Sequence, residues 1–239
     1  MSIRITHRNI ELQDLGRIRY QEAWDYQTSL FKHSHDLKVA NRDLPAELQE
    51  ETDHFLLTCE HEPVFTLGKS GKEAHLLKSK AFLAQQGIEM VRTNRGGDIT
   101  YHGPGQLVVY PILDLDHFYT DIHRYMRELE EVVICTLANF DIVAGRFPGY
   151  TGVWLDPDDP VRARKICAQG VKCSRWVTMH GLALNVHTDL APFRYMVPCG
   201  IEGKAVTSMH LESEERPDVA LVKSALIGHF EAVFDAFIW

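Results

Sequence analysis

Cys199 stands in the run FRYMVPCGIEG, between Pro198 and Gly200, in a non-periodic connection of the kind that presents a side chain to a cleft. A free thiol of pKa ~8.5 is only a few per cent thiolate at neutral pH, so a nucleophilic role requires a positive neighbour, lysine or histidine. Without one, Cys199 is a plain loop cysteine. The remaining cysteines read as packing groups. Cys59 lies in an apolar strand and Cys135 beside the apolar stripe of a helix, both expected in the core, while Cys167 and Cys173 sit in apparent strands. No G-x-S-x-G elbow offers a serine instead.

A second chemical signal is the glycine-rich run RGGDITYHGPGQ, Arg95–Gln106. Such a loop permits φ > 0 and close approach of a ligand to the backbone; the alternative is a wide β-hairpin connection. Neither phosphate-loop pattern fits it, and TLGKS at Thr66–Ser70 lacks the required first glycine, because that place falls on Pro63. Among the thirteen histidines, His33 and His35 fall on different faces of a predicted helix. Cys59 and His61 share a strand face, but no second pair accompanies them, so no metal site is expected.

These residues need a scaffold, and the 239-residue chain, 45% hydrophobic and 24% charged, suits a single domain over residues 1–239. No linker, repeat or low-complexity run divides it. The start, MSIRITHRNIELQ, lacks an apolar signal core and no stretch has the length of a membrane span, so a soluble, cytoplasmic protein is expected. An odd number of cysteines without a C-x-x-C pair fits a reducing compartment. A formal net charge of −8 argues against a nucleic-acid partner. One segment runs the other way: Arg162, Arg164, Lys165, Lys172 and Arg175 follow one another with no acid between them. They form either a solvated face or a docking surface for an acidic partner.

Periodicity places the elements. Ile18–Leu37 is predicted as a long amphipathic helix, HFLLTCE as a buried strand, SKAFLAQQG as a short helix ended by Gly87, and IEMVR as a strand. After the glycine loop comes the apolar strand QLVVYPILDL. Ile122, Tyr125, Leu129 and Val132 mark a helix over Asp121–Leu137, and TGVWL another strand. The segment KICAQGVKCSRWVTMHGLALNVH is predicted as two or three strands with bends at Gly170 and Gly181. Val219, Val222, Leu226, Phe230, Val233 and Phe237 lie on one stripe of a terminal helix. Without regular βαβ alternation, the expected class is α+β: a mixed, largely antiparallel sheet flanked by helices.

Three blocks, RGGDITYHGPGQLVVYP, RKICAQGVKCSRWVTMHGLALNV and PCGI, resemble in order and spacing the lipoyl(octanoyl) transferases of lipoate biosynthesis, over roughly Phe55 to Met209. The resemblance implies the fold shared by lipoate-protein ligases and the catalytic domain of biotin-protein ligases. It also implies movement of an octanoyl group from octanoyl-acyl carrier protein to a lysine of apo lipoyl domains through a cysteine thioester, with no ATP, cofactor or metal. The acceptors would be lipoyl domains of 2-oxoacid dehydrogenase complexes and the glycine cleavage H protein.

By matched position, Cys199 becomes the acyl-accepting cysteine and Lys165 the lysine that lowers its pKa. Arg95, Gly96, Gly97, Asp98, Ile99, Thr100, Tyr101 and His102 match the substrate-contacting loop. Ala168, Gln169 and Gly170, with Gly181, Leu182 and Ala183, match the segments lining the acyl site. Lys165 or His102 would deprotonate the acceptor amine. Cys167 stands where the family often has alanine, and Gln169 where an aliphatic residue is common. The rival readings are an ATP-dependent lipoate or biotin ligase on the same fold and a non-catalytic acyl-thioester-binding protein.

Overall fold

A computed structural model describes residues 7–197 and 205–239. The described chain opens with β1 (Asn9–Ile18) and the long helix α1 (Tyr20–Ala40), which crosses over to β2 (His54–His61), so that β1 and β2 run parallel. A small sheet follows. It consists of β3 (Val64–Leu67), then α2 (Lys80–Gln85), with β4 (Glu89–Arg92) parallel to β3 and β5 (Ile99–His102) antiparallel to it. The chain then returns to the large sheet through β6 (Gln106–Ile112), α3 (Ile122–Ala138) and β7 (Val153–Leu155). A long hairpin of β8 (Arg164–Ser174) and β9 (Val177–Asn185) comes next. The described remainder is β10 (Ala205–Val206), α4 (Met209–Glu212), α5 (Val219–Phe234) and β11 (Phe237–Ile238).

The large sheet has the order β10-β8-β9-β6-β2-β1-β11, with β7 on β8. Its inner pairs are antiparallel and its outer pairs, β1–β2, β1–β11 and β8–β10, are parallel. This is the expected mixed α+β architecture. The inner strands are continuous apolar runs because both faces of the sheet are covered. Alternate residues divide between the layers: Leu56, Leu107, Val109, Leu182 and Leu184 pack under α3 and α5, while Leu57, Val108, Tyr110, Met179 and Ala183 pack under α1. Helices α3 and α5 start where side chains cap them. Asp121 accepts from the His123 and Arg124 N–H groups, and Asp218 from Ala220 and Leu221. Among the described residues no helix is long and apolar enough to cross a membrane.

Several local expectations change. The glycine run is not a hairpin connection, because β5 pairs with β3 in the small sheet and β6 with β2 and β9 in the large one. Gly170 and Gly181 are not bends. They face each other in mid-strand, and the reversal falls at Arg175 and Trp176, with φ of 49° and 65°. Phe237 leaves the terminal helix for β11 and is exposed; Phe234 takes the buried place. Cys59 and Cys167 are buried as expected, but Cys135 is only half-buried, its thiol directed to Glu131.

Candidate active site

The glycine loop lies across the hairpin. Gly96 N–H donates to Val171 O at 2.9 Å, and a Cβ on Gly170 would stand 2.7 Å from Gly96 O. On the neighbouring strand a Cβ on Gly181 would meet Val109 O at 2.1 Å. Both strand glycines therefore mark close backbone approach. Arg95 braces the loop from beneath. Its buried guanidinium donates to Thr66 O, Thr66 Oγ1, Gly96 O and Asp98 O, between 2.8 and 2.9 Å.

Loop and hairpin enclose a cavity of about 630 Å³, a size suited to a small ligand. The predicted loop residues line it from Arg95 to Thr100 and again at His102. Tyr101 does not. Side chains alternate along β5, so Thr100 and His102 face the cavity while Tyr101 packs on Phe65 and Phe193 in the core of the small sheet. Ala168, Gln169 and Gly170 line the cavity from β8, as do Gly181, Leu182 and Ala183 from β9. Lys165 lines it too, its Nζ 4.7 Å from the centroid of the buried Trp154 ring, whose face attracts a cation. Cys199 lies outside the described residues.

His102 is fully engaged. Its Nδ1 is 2.7 Å from Gln106 Oε1 and its Nε2 3.3 Å from Thr66 Oγ1, and burial together with nearby His61 holds its pKa well below the usual histidine range. Among the wall residues not expected from the sequence are His180 and Glu130. His180 has φ +59° within β9, a conformation costly for a side chain of that size, and places Nε2 2.7 Å from Asn94 Oδ1. Burial lowers its pKa to about 3, so the ring is neutral. Glu130, on α3, is 0% exposed and accepts from Arg127, Arg146, Gly152 N–H and Gln169 Nε2. Its only signal in the sequence is an acid set among stripe residues of a helix.

His7, His54 and His117, none of which lines the cavity, converge with ligand atoms within 4.8 Å of one another. The hydrogen bonds argue against a metal. Asp114 N–H donates to His54 Nδ1, so the proton of neutral His54 sits on Nε2 and points at His117 Nδ1, 3.0 Å away. The basic run is also largely committed. Arg164 forms a two-toothed pair with Glu212, 2.6 Å on each side, and bonds Asp156; Lys172 Nζ lies 4.1 Å from the Phe31 ring centroid. Arg175 stays exposed at the hairpin turn.

The mixed sheet, with its cavity walled by a glycine loop and a lysine, has the fold of the lipoate protein ligases. The family described as the lipoyl protein ligase A/B catalytic domain matches residues 19–231, and the chain belongs to it. An octanoyltransferase of Cytophaga hutchinsonii is 56% identical over 98% of this chain and 96% of its own. One from Flavobacterium psychrophilum is 51% identical over 97% and 99%. A bipartite lipoate protein ligase from Thermoplasma acidophilum superposes with a TM-score of 0.65 at 18% identity, covering 98% of this chain and 86% of that one, which speaks to the fold alone.

Proposed function

We propose that the chain, working as one domain over residues 1–239, is a cytoplasmic octanoyltransferase that carries the acyl group on Cys199. The donor is octanoyl-acyl carrier protein, and the acceptors are lysines of apo lipoyl domains such as those of 2-oxoacid dehydrogenase complexes and the glycine cleavage H protein. The observation that carries this reading is Lys165 in the wall of a cavity of about 630 Å³, in a chain whose relatives bear the name octanoyltransferase.

In the resting site the Lys165 ammonium stabilises the Cys199 thiolate. An ammonium about 4 Å from a thiolate at an effective dielectric near 20 gains roughly 4 kcal/mol before desolvation. The thiolate attacks the octanoyl thioester carbon, the oxyanion forms, and the carrier sulfur departs with the proton of Lys165. Past Cys167 the outer edge of β8 pairs with no strand among the described residues, which leaves peptide groups of Ala168–Gly170 at the cavity to receive the oxyanion. The acceptor amine then attacks the enzyme thioester. Neutral Lys165 takes the amine proton, the C–S bond breaks, and the thiolate–ammonium pair returns with the amide formed. Lys165 suits this base role better than His102, both of whose nitrogens are engaged. The energy of the donor thioester drives amide formation, so ATP has no part.

The test is transfer from octanoyl-acyl carrier protein to an apo lipoyl domain by the purified chain without nucleotide, followed by mass spectrometry of the acceptor. The wild type should acylate it and Cys199→Ala should not. Full transfer by Cys199→Ala, or dependence on ATP, would overturn the reading.

A further inference from the structure

Two main-chain carbonyls fix the orientation of a buried row of side chains running beside the cavity. Thr207 O can only accept, so the Asn185 atom 2.9 Å from it is Nδ2, and Asn185 Oδ1 must face Gln106. Gln106 is fixed in the same way. Its Nε2 donates to Tyr101 O at 3.2 Å and to Asn185 Oδ1 at 2.9 Å, leaving Oε1 to accept from His102 Nδ1–H. His102 Nε2 is then an acceptor for the Thr66 hydroxyl, whose oxygen receives the Arg95 guanidinium. Every donor in the row points the same way, from Arg95 under the glycine loop to Thr207 O.

The far end of the row reaches Lys165. Thr207 follows β10, whose Val206 pairs with Lys165, and Thr207 N–H donates to Lys165 O at 2.9 Å. Asn185 Nδ2 thus donates to the main-chain carbonyl of Thr207, whose own N–H donates to Lys165 O. Asn185 is 3% exposed, so its bonds are made without competition from bulk water.

We infer that Asn185, oriented by Gln106 and His102, is a positioning residue that holds the strand edge carrying Lys165 in register with the cavity. The inference rests on the reading of Lys165 as the partner of the Cys199 thiol. It also accounts for His102: a buried link between the glycine loop and the lysine rather than a proton carrier.

Asn185→Asp is nearly isosteric but sets an acceptor against Thr207 O. Alkylation of Cys199 by iodoacetamide as a function of pH, read by peptide mass mapping, reports the thiol midpoint in the wild type, Lys165→Ala and Asn185→Asp. In Asn185→Asp the midpoint should rise toward that of Lys165→Ala. Its kcat should fall about ten- to a hundredfold, the effect of misplacing a reacting group by an ångström, with KM for the octanoyl donor little changed. A purely structural residue would lower the melting temperature without moving the midpoint. Gln106→Glu removes the donor that orients Asn185 and should shift midpoint and kcat in the same direction; it decides the matter if Asn185→Asp does not fold. Wild-type midpoint and kcat in the folded variant would overturn the positioning role alone, provided Lys165→Ala moves the midpoint. If Lys165→Ala leaves the midpoint unmoved, the parent reading of Lys165 falls and this inference falls with it.

Discussion

Glu130→Gln should destabilise the protein far more than a one-atom change suggests. Each described partner of the carboxylate is a donor: Arg127, Arg146, Gly152 N–H and Gln169 Nε2. The new amide must therefore turn its NH₂ toward one donor group or another, and the charge that both arginines answer is gone. The arginine side chains are 53% and 36% exposed, so solvent screens their pairs, and these contribute about 1 kcal/mol each at most. The inner bonds from Gly152 and Gln169 to a fully buried charge count for roughly 1.5–3 kcal/mol each. One oxygen survives the change, so the net loss is about 3–5 kcal/mol, as for other broken buried pairs. At ~2–4 °C per kcal/mol for a chain of this size, the melting temperature should drop by roughly 6–20 °C. Calorimetry of both proteins at neutral pH measures it, and a drop of less than about 2 °C would refute the claim that Glu130 ties α3 to β8 and the Gly152 turn.

Gly181→Ala should cost about 1–3 kcal/mol or prevent accumulation, since its Cβ would meet Val109 O inside the ladder; an unchanged urea midpoint would contradict this. Arg164→Met should lower stability by about 2 kcal/mol while leaving KM for the acyl-carrier donor intact, because the guanidinium is held by Glu212 and Asp156. A raised KM with unchanged stability would return Arg164 to a docking role. Burial depresses the pKa values of His54, His61 and His180 to about 3, 4 and 3. Below pH ~6.5 the unfolded chain takes up protons that the folded one refuses, so stability should fall as pH drops from ~6.5 toward ~4, by up to ~1.4 kcal/mol per pH unit for each group. Denaturant titrations should show that slope, and His180→Gln should reduce it; a flat profile from pH 6.5 to 5 would refute the assignment.

What the sequence disclosed followed the length over which each signal extends. Inner strands and the helices α3 and α5 were legible because burial imposes its period on many residues. β1 was not: NIELQDLGRI is mostly polar and partly exposed, and its place depends on β2 and β11. The hairpin reversal at Arg175 and Trp176 was hidden because positive φ there is imposed by the strands rather than by turn-forming residues. Gly170 and Gly181 mark close backbone approach rather than bends, and its cause, the Gly96 and Val109 carbonyls, is distant in the chain. Fewer than half of the cavity-lining residues were found through family motifs, and strand alternation, applied to Tyr101, would have removed the one predicted residue that faces away. Glu130 and Asn185 escaped because their meaning lies in partners brought together only by the fold.

Intact-protein mass spectrometry after mixing the chain with octanoyl-acyl carrier protein, with no acceptor present, tests the thioester mechanism most directly. The account predicts a gain of one octanoyl group, released by hydroxylamine, mapped to the peptide containing Cys199 and absent in Cys199→Ala. No acyl adduct on a chain that still transfers octanoyl to a lipoyl domain, or an adduct on another residue, would contradict it.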